Sequence, residues 1–215
     1  MSEAAALPIV GVLLAGGQSR RMGGGDKGLR LLADKPMMAH VRDRLAGQAA
    51  PIIVNANGDP ARFAEIGLPV VADEVEGYAG PLAGVLAGLK WAAANVPEAR
   101  FIVTAACDTP FFPENLTSAL LDATGGTYPA IVLAASDGRV HPVFGLWPVA
   151  LADDLEDALR AGTRKVLDWT GRHPNFTVPF PKAVIGGRGM DPFFNVNTPE
   201  EFAEAERLLM SERVP

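Results

Sequence analysis

A glycine-rich segment near the N-terminus carries residues whose types and spacing indicate chemistry. After the apolar run Ile9 to Leu14 the chain reads Ala15-Gly16-Gly17. Glycines at the end of a strand let the backbone turn sharply and present its N–H groups to an anion. Arg20, Arg21 and Lys27 follow, and their positive charges can neutralise a triphosphate and a departing pyrophosphate. Two glycines alone more often mark a flexible turn than a ligand site. By itself the segment therefore indicates at most an anion-binding turn at the end of a strand.

This segment matches neither of two common phosphate-binding motifs. Lys27 is followed by Gly28 rather than by Ser or Thr, so the Walker A pattern is absent. The dinucleotide-binding pattern Gly-x-Gly-x-x-Gly does not follow Leu14 directly. The phosphate-binding hypothesis therefore needs support from the rest of the chain.

A carboxylate after another apolar run is the second chemical signal. Asp108 follows the run Phe101 to Ala105, where a strand would open onto a ligand crevice. Mg²⁺ prefers oxygen ligands and usually binds one or two carboxylates together with phosphates, so a single aspartate is enough. The alternative role for Asp108 is to cap a helix that follows Pro113.

Several other polar residues stand near predicted strand ends. Asn55 and Asp73 can hydrogen-bond a ribose or a base, although both residue types also suit turns. Asn195 and Asn197 alternate along a short extended stretch, so both side chains would face one side, and one of them could assist a metal or a second substrate.

His141 and the pair Arg164 and Lys165 are further candidates for binding the second substrate, and each has an alternative structural role. His141 stands beside Pro142 and is equally suited to contacting a substrate and to beginning a strand. Arg164 and Lys165 begin a predicted helix, where they would attract an anionic substrate or form a solvated face. Cys107 is interpreted as a small buried apolar side chain rather than a nucleophile.

Alternating strands and helices must position these residues. Apolar runs bounded by turn residues predict strands at Ile9 to Leu14, Ile52 to Val54, Val70 to Ala72, Phe101 to Ala105, Ile131 to Ala134, Val143 to Trp147 and Phe176 to Val178. Helical patterns predict helices at Pro36 to Leu45, Pro60 to Ile66, Pro81 to Ala94, Pro113 to Leu121, Ala150 to Leu159, Arg164 to Thr170 and Pro199 to about Met210. Such alternation calls for a mostly parallel sheet with helices on both faces and ligands beyond the carboxyl ends of the strands.

Length, charge and cysteine content exclude several classes of protein. The 215 residues suit one domain, 1–215. A formal net charge of −6 argues against a nucleic-acid partner, and the single cysteine excludes an internal disulfide or a thiolate-based metal site. No basic region precedes the first apolar stretch, and no apolar run reaches the ~18 to 20 residues that cross a bilayer. We therefore expect a cytoplasmic protein that does not bind membranes.

The glycine-rich segment resembles a known signature when it is taken in full. Leu14-Ala15-Gly16-Gly17-Gln18-Ser19-Arg20-Arg21-Met22-Gly23-Gly24-Gly25-Asp26-Lys27 is similar to the signature of nucleotidyltransferases with a Rossmann-like GT-A type fold. Within that superfamily the chain most resembles the molybdenum cofactor guanylyltransferases, the MobA family. Further segments follow in the family's order, namely Asn55 in Ile53-Val54-Asn55-Ala56-Asn57, Asp73 in Val71-Ala72-Asp73-Glu74, Gly80-Pro81-Leu82-Ala83-Gly84, Cys107-Asp108-Thr109-Pro110, His141-Pro142 and Asn195-Val196-Asn197-Thr198-Pro199.

This resemblance implies a fold, a reaction and a set of site residues. The fold is a three-layer Rossmann-like α/β fold with a mostly parallel central sheet, in which we expect residues 1–110 mainly to bind nucleotide and residues 111–215 mainly the acceptor. The implied reaction transfers GMP from GTP to the phosphate of molybdopterin and releases pyrophosphate. Molybdoenzyme apoproteins or their chaperones are candidate recipients of the product.

The implied catalytic residues are Arg21, Lys27 and Asp108, with Asp108 as the Mg²⁺ ligand. The implied nucleotide-binding residues are Leu14, Ala15, Gly16, Gly17, Lys27, Asn55, Asp73 and Asp108. The candidate acceptor-binding residues are His141, Arg164, Asn195 and Asn197.

The acceptor's chemistry explains why the sequence shows no catalytic dyad. A phosphate monoester carries most of its second negative charge at pH 7, because its second pKa is ~6. It needs no protein base, and the enzyme must instead align it with the α-phosphorus and stabilise the leaving pyrophosphate.

Three alternatives remain open at this point. A CTP-dependent molybdopterin cytidylyltransferase and a sugar-phosphate nucleotidyltransferase would use the same chemistry on other substrates. Related cytidylyltransferases often carry an aspartate in place of Asn195, which favours guanine. A non-catalytic nucleotide-binding or cofactor-carrier protein would bind nucleotide without releasing pyrophosphate.

Overall fold

The apolar runs form the strands of one central sheet in the computed structural model, which describes residues 7–16, 26–74, 80–185 and 187–212. The strands are β1 Ile9–Leu14, β2 Leu31–Leu32, β3 Lys35–Pro36, β4 Ile52–Asn55, β5 Val70–Val71, β6 Phe101–Ala106, β7 Ile131–Ser136, β8 Arg139–Pro148, β9 Asn175–Pro179, β10 Ala183–Ile185 and β11 Arg188–Met190. The helices are α1 Met37–Ala46, α2 Pro81–Asn95, α3 Leu116–Asp122, α4 Ala152–Arg160, α5 Val166–Thr170 and α6 Pro199–Glu212. Short 3₁₀ turns cover Lys27–Leu29, Pro60–Ile66 and Val149–Leu151.

The order of strands places β1 at a point where the chain changes direction across the sheet. The order is β5-β4-β1-β6-β8-β7-β9, and every neighbouring pair is parallel except those that include β8. After β1 the chain forms β4 and β5 on one side of β1, and it then crosses over to form β6 on the other side of β1. In open α/β sheets a ligand crevice forms at such a switch point, beyond the carboxyl ends of the strands.

Both faces of the sheet are covered, which makes three layers. On one face α1 and α3 share a buried apolar cluster with Leu13 of β1. On the other face α2 and α4 share a second cluster with Val12 and Leu14. This division follows from the strand geometry, because successive side chains point to opposite faces. The predicted three-layer α/β fold with a mostly parallel sheet is confirmed.

A third apolar cluster joins the β2–β3 hairpin to the C-terminal part of the chain. It includes Leu32 of β2, Ile185 of β10, and Ala205 and Leu208 of α6. A reciprocal capping box begins α6: Thr198 N–H donates to Glu201 Oε2 at 2.9 Å, and Glu201 N–H donates to Thr198 Oγ1 at 3.2 Å. This cluster holds the segment after Lys27 against the C-terminal part of the chain.

Some elements differ from the sequence-based prediction. The strand predicted from Val143 begins at Arg139 and pairs antiparallel with β7 across a two-residue turn, in which Asp137 and Gly138 have φ of 46° and 74°. An Asp-Gly pair with positive φ is typical of tight hairpins, so this signal was present in the sequence. The hairpins β2–β3 and β10–β11 have strands too short to show a periodicity. None of the helices among the described residues is long and apolar enough to span a membrane.

Candidate active site at the carboxyl edge of the sheet

The parallel register brings three loops together at one edge of the sheet. Leu14, the last residue of β1, is aligned with Asn55 of β4 and with Ala106 of β6. The loops continue this pairing, because Ala15 N–H donates to the Asn55 carbonyl at 2.9 Å and Cys107 N–H donates to the Leu14 carbonyl at 3.2 Å. The glycine-rich turn therefore begins directly between the predicted nucleoside and metal residues.

The centre of this edge is an ion pair between Lys27 and Asp108. Lys27 Nζ lies 2.8 Å from Asp108 Oδ2, and the two side chains are 12% and 23% exposed. The same ammonium group donates to Asn197 Oδ1. The Lys27 ammonium thus lies between the carboxylate oxygen of Asp108 and the amide oxygen of Asn197, and solvent reaches it only in part. We call Lys27, Asp108, Thr109, Asn195 and Asn197 the phosphate cluster.

The C-terminal segment is tied to the phosphate cluster by its backbone and its side chains. Val196 N–H donates to the Asp108 carbonyl at 2.9 Å. Val196 is buried while Asn195 and Asn197 are exposed, so both asparagines face the same side. Asn195 Oδ1 contacts the Thr109 hydroxyl, which also lies 3.2 Å from Asp108 Oδ1. The structure therefore brings Asn195 and Asn197 to Asp108, where the sequence could only suggest a common direction.

The oxygens of this cluster fit a hard divalent cation. The described residues contain no group of three or more His, Cys, Asp or Glu side chains that could enclose a metal. Mg²⁺ does not require such a group, because it keeps several waters and binds few carboxylates when phosphates supply further oxygens. The Lys27 ammonium already lies between Asp108 Oδ2 and Asn197 Oδ1. The oxygens of Asp108 and Asn197 therefore already accept a positive charge, and these two residues would hold the metal ion.

A second polar network lies at the ends of β4 and β5, and we call it the nucleoside cluster. Asn55, which is buried, donates from Nδ2 to Asp73 Oδ1 at 2.9 Å and to the Val71 carbonyl at 3.2 Å. Asn57 Nδ2 donates to Asp73 Oδ2 at 2.8 Å, while Asp73 N–H donates to Asn57 Oδ1 at 2.8 Å. Each carboxylate oxygen of Asp73 thus has its own amide donor, and its orientation is set before any ligand arrives.

Asn57 is a member of this network that sequence reasoning missed. Its signal was its spacing from Asn55, because residues two apart beyond a strand lie on the same side. Gly84 in α2 packs directly against Asn55, since a Cβ there would lie 2.3 Å from Asn55 Oδ1 and 2.7 Å from Leu14 Cδ2. The helix can approach Asn55 this closely only without a side chain at that position.

Arg62 links the two clusters and was also missed. Its guanidinium lies 2.5 Å from Asp26 Oδ2, next to Lys27, and donates to the Asn57 carbonyl at 2.6 Å. It also donates to the Asp59 carbonyl at 2.9 Å. The side chain therefore connects the residue that precedes Lys27 with the residue that orients Asp73. Nothing in the sequence around Arg62 distinguishes it from a solvated surface arginine.

Cys107 has the environment of an inert thiol. Burial, together with the neighbouring Asp108 charge, raises its pKa to about 12. A Cβ on Gly28 would lie 3.2 Å from the Cys107 sulfur, so the chain is closely packed there. The thiol is protonated at neutral pH and is not a nucleophile, in agreement with the sequence-based interpretation.

His141 belongs to a separate hydrogen-bonded chain on the β7–β8 hairpin. Its Nε2 lies 2.6 Å from the Ser136 hydroxyl, which donates to Asp191 Oδ1 at 2.7 Å. Its ring stacks on Phe193 with centroids 4.4 Å apart. Burial lowers the pKa of His141, partly offset by Asp191. The hydroxyl lies between the imidazole and the carboxylate, whereas a catalytic triad has the imidazole in the middle, so this chain is not a nucleophile–base arrangement.

The remaining candidates are placed elsewhere or lie outside the described residues. Arg164 Nη1 donates to the Leu159 carbonyl at 3.0 Å and to the Thr163 carbonyl at 2.8 Å, at the end of α4. Its role toward an acceptor stays a prediction. Gly17 and Arg21 fall within residues that the structure does not describe.

A mostly parallel sheet with a switch point, and a lysine and an aspartate at its carboxyl edge, suit a protein that binds a nucleotide. Residues 11–175 match the family model described as MobA-like NTP transferase domain. The chain belongs to this family.

Named relatives agree with this placement. The chain is 49% identical to a molybdenum cofactor guanylyltransferase from Bradyrhizobium over 99% of its length and 98% of the relative. It is 52% identical to one from Rhodopseudomonas palustris, over 93% of each chain.

Solved structures show the same fold at low sequence identity. Molybdopterin-guanine dinucleotide biosynthesis protein A from Archaeoglobus fulgidus superposes with a TM-score of 0.70 at 21% identity, over 94% of this chain and 99% of that one. The 4-diphosphocytidyl-2C-methyl-D-erythritolsynthase from Anaerococcus prevotii gives a TM-score of 0.68 at 13% identity, over 94% and 96%.

Proposed function

We propose that this protein is a molybdenum cofactor guanylyltransferase. It transfers GMP from GTP to the phosphate of molybdopterin, releases pyrophosphate and forms the guanine dinucleotide form of the cofactor. The observation that carries this proposal is the Lys27–Asp108 ion pair at the switch point, 2.8 Å long, in a chain half identical to guanylyltransferases over nearly its full length. The chemistry required at each part of the reaction supports it.

The triphosphate is bound at the end of β1. Ala15 N–H already donates to the Asn55 carbonyl, so the backbone N–H groups that bind phosphate oxygens come from Gly16 onward. Lys27 and Arg21 add positive charge. Asp108 and Asn197 would hold Mg²⁺, and the ion would supply positive charge toward the triphosphate and the leaving pyrophosphate. Lys27 pairs with Asp108, and its ammonium would give way to Mg²⁺ there and donate to phosphate oxygens instead.

The acceptor phosphate attacks without help from a protein base. One of its oxygens forms a bond to the α-phosphorus of GTP, the bond from that phosphorus to the α–β bridging oxygen breaks, and pyrophosphate leaves with the electron pair. The acceptor is already mostly dianionic at pH 7, because its second pKa is ~6. The thiol beside the metal residue, Cys107, has a pKa of about 12 and takes no part. The protein contributes alignment and charge.

The nucleoside cluster favours guanine. Asp73 is an acceptor held by two amides, and an ionised carboxylate only accepts hydrogen bonds. Guanine presents its ring N–H and its exocyclic amino group side by side as donors, which a two-oxygen carboxylate matches. Cytosine presents one amino donor next to a ring acceptor, which would face a carboxylate oxygen unfavourably. Asn55 positions Asp73 for this contact.

The acceptor side is assigned to the second half of the chain. Residues 1–110 form the nucleotide-binding half of one domain and residues 111–215 the acceptor half. Asn195 and Asn197 lie at the phosphate cluster, where the acceptor phosphate must approach the α-phosphorus, with His141 and Arg164 as further acceptor contacts. The enzyme works in the cytoplasm and passes its product to molybdoenzyme apoproteins or their chaperones.

The test is pyrophosphate release with GTP, CTP, ATP and UTP in the presence of Mg²⁺ and molybdopterin. Selective release with GTP is expected. Selective release with CTP would replace guanylyl by cytidylyl transfer, and release with a sugar phosphate but not with molybdopterin would assign another acceptor. Nucleotide binding without any release would make the protein a carrier.

A further inference from the structure

Thr109 lies between the two halves of the phosphate cluster. It follows Asp108 directly, and none of its surface is exposed. Its hydroxyl lies 3.2 Å from Asp108 Oδ1 and also contacts Asn195 Oδ1, 86 residues further along the chain. The two oxygens of Asp108 are therefore held by different partners, Oδ1 by this hydroxyl and Oδ2 by the Lys27 ammonium at 2.8 Å.

The hydroxyl of Thr109 is not needed for the local backbone turn. That turn is closed by Thr109 N–H, which donates to the Ala106 carbonyl at 3.3 Å, and any residue other than proline supplies this donor. The methyl group of the threonine side chain can pack against its neighbours, and valine carries a methyl group in the same place. What only a hydroxyl adds is a hydrogen bond to a carboxylate in a buried place, which is stronger than one between neutral groups.

We propose that Thr109 is a positioning residue for the metal-binding carboxylate. Its hydroxyl holds Asp108 Oδ1, so that Oδ2 faces the cation, and it couples Asn195 to the same oxygen cluster. The hydroxyl has one proton, which the two neighbouring acceptors Asp108 Oδ1 and Asn195 Oδ1 share, and it thereby links the β6 loop to the C-terminal segment from a fully buried position. This inference rests on the proposed function, because it takes Asp108 as the metal ligand.

The test compares Thr109→Val, which keeps the shape and removes the hydroxyl, with Thr109→Ser, which keeps the hydroxyl. Mn²⁺ binding is measured by electron paramagnetic resonance in the presence of α,β-methylene GTP, and the Mg²⁺ concentration for half-maximal pyrophosphate release is measured with GTP. Loss of a hydrogen bond to a charged group corresponds to about a tenfold or larger effect. We expect Thr109→Val to weaken Mn²⁺ binding about tenfold, and Thr109→Ser to stay within about twofold of the wild type.

A matched control separates positioning from stability. Thr117 in α3 is another buried threonine, and its hydroxyl has no hydrogen-bond partner. Thr117→Val should leave Mn²⁺ binding unchanged. If Thr109→Val does not fold, Thr109→Ala removes the same hydroxyl with less bulk and is measured instead.

Two outcomes overturn the inference. One is wild-type Mn²⁺ affinity in the folded variant that lacks the hydroxyl; the other is a Thr109→Ser variant as weak as Thr109→Val. Failure of the proposed function is seen separately, since the wild type would then release no pyrophosphate while the Mn²⁺ comparison still stands.

Discussion

The phosphate cluster and the nucleoside cluster lie at the same edge of the sheet but are built in opposite ways. The nucleoside cluster is closed, since both oxygens of Asp73 are satisfied by Asn55 and Asn57 before a ligand binds. The phosphate cluster is held by the Lys27 ammonium, which pairs with the carboxylate that we propose as the metal ligand, so binding of the metal would exchange one cation for another. Recognition is thus preorganised on one side, and charge is exchanged on the other.

The largest effect should come from removing the carboxylate of the phosphate cluster. Asp108→Ala removes the proposed metal ligand and leaves Lys27 beside Asn197 alone. We expect pyrophosphate release from GTP to fall at least ~100-fold, the scale of losing a group that stabilises developing charge. The rate is measured at saturating Mg²⁺, and near wild-type turnover there would remove Asp108 from the mechanism.

Exchange in the phosphate cluster is tested with Lys27→Met. We expect kcat/KM for GTP to drop ~100-fold, because a positive charge near the leaving group is lost. Mn²⁺ binding without nucleotide should instead tighten, because the ammonium no longer competes for Asp108 Oδ2. Lys35→Met, which breaks an exposed pair with Asp43, is the control, and unchanged or weaker Mn²⁺ binding in Lys27→Met would contradict the exchange.

The closed packing of the nucleoside cluster is tested with Gly84→Ala. A methyl group would lie 2.3 Å from Asn55 Oδ1, and overpacking of this kind costs about 1 to 3 kcal/mol. We expect a melting temperature several degrees lower, about 2 to 4 °C per kcal/mol for a chain of this size, and a higher KM for GTP.

Gly47→Ala is the matched control for this change. A Cβ at Gly47 meets nothing within 4 Å, and its φ of −77° suits alanine. Equal effects of the two substitutions on KM would show that Asn55 does not transmit the change.

The smallest effect is expected from Asn57→Ala, which frees one oxygen of Asp73. Because Asp73 keeps its bond to Asn55, we expect KM for GTP to rise about five- to tenfold, with kcat nearly unchanged. Selectivity for GTP over ITP, which lacks the exocyclic amino group, should fall. Asn95→Ala, at the far end of α2, is the control; a fall in kcat with unchanged KM would place Asn57 on the chemical step.

Much of the site's position followed from the order of the elements. Leu14, Asn55 and Asp108 each stand at the end of an apolar run, and parallel pairing brings such ends to one edge. Asn57 was not predicted although its spacing from Asn55 was a local signal, whereas Arg62 and Thr109 were not predicted because each contacts a partner distant in sequence. The Arg62 pair spans 36 residues and the Thr109–Asn195 contact 86. Local patterns carry no information on such pairs.

The amino-acid sequence by itself determined the three-layer class of the fold and the position of the acid after β6, because periodicity and turn chemistry are local. Only the tertiary structure decided that Lys27 lies between Asp108 and Asn197, residues 81 and 170 positions away. It also decided that β8 lies between β6 and β7 in the sheet and that Asp73 is held by two amides. The physical reason is that the apolar clusters on both faces of the sheet, and the third one around α6, fix which loops meet, and hydrogen bonds form between whatever side chains this packing brings within reach.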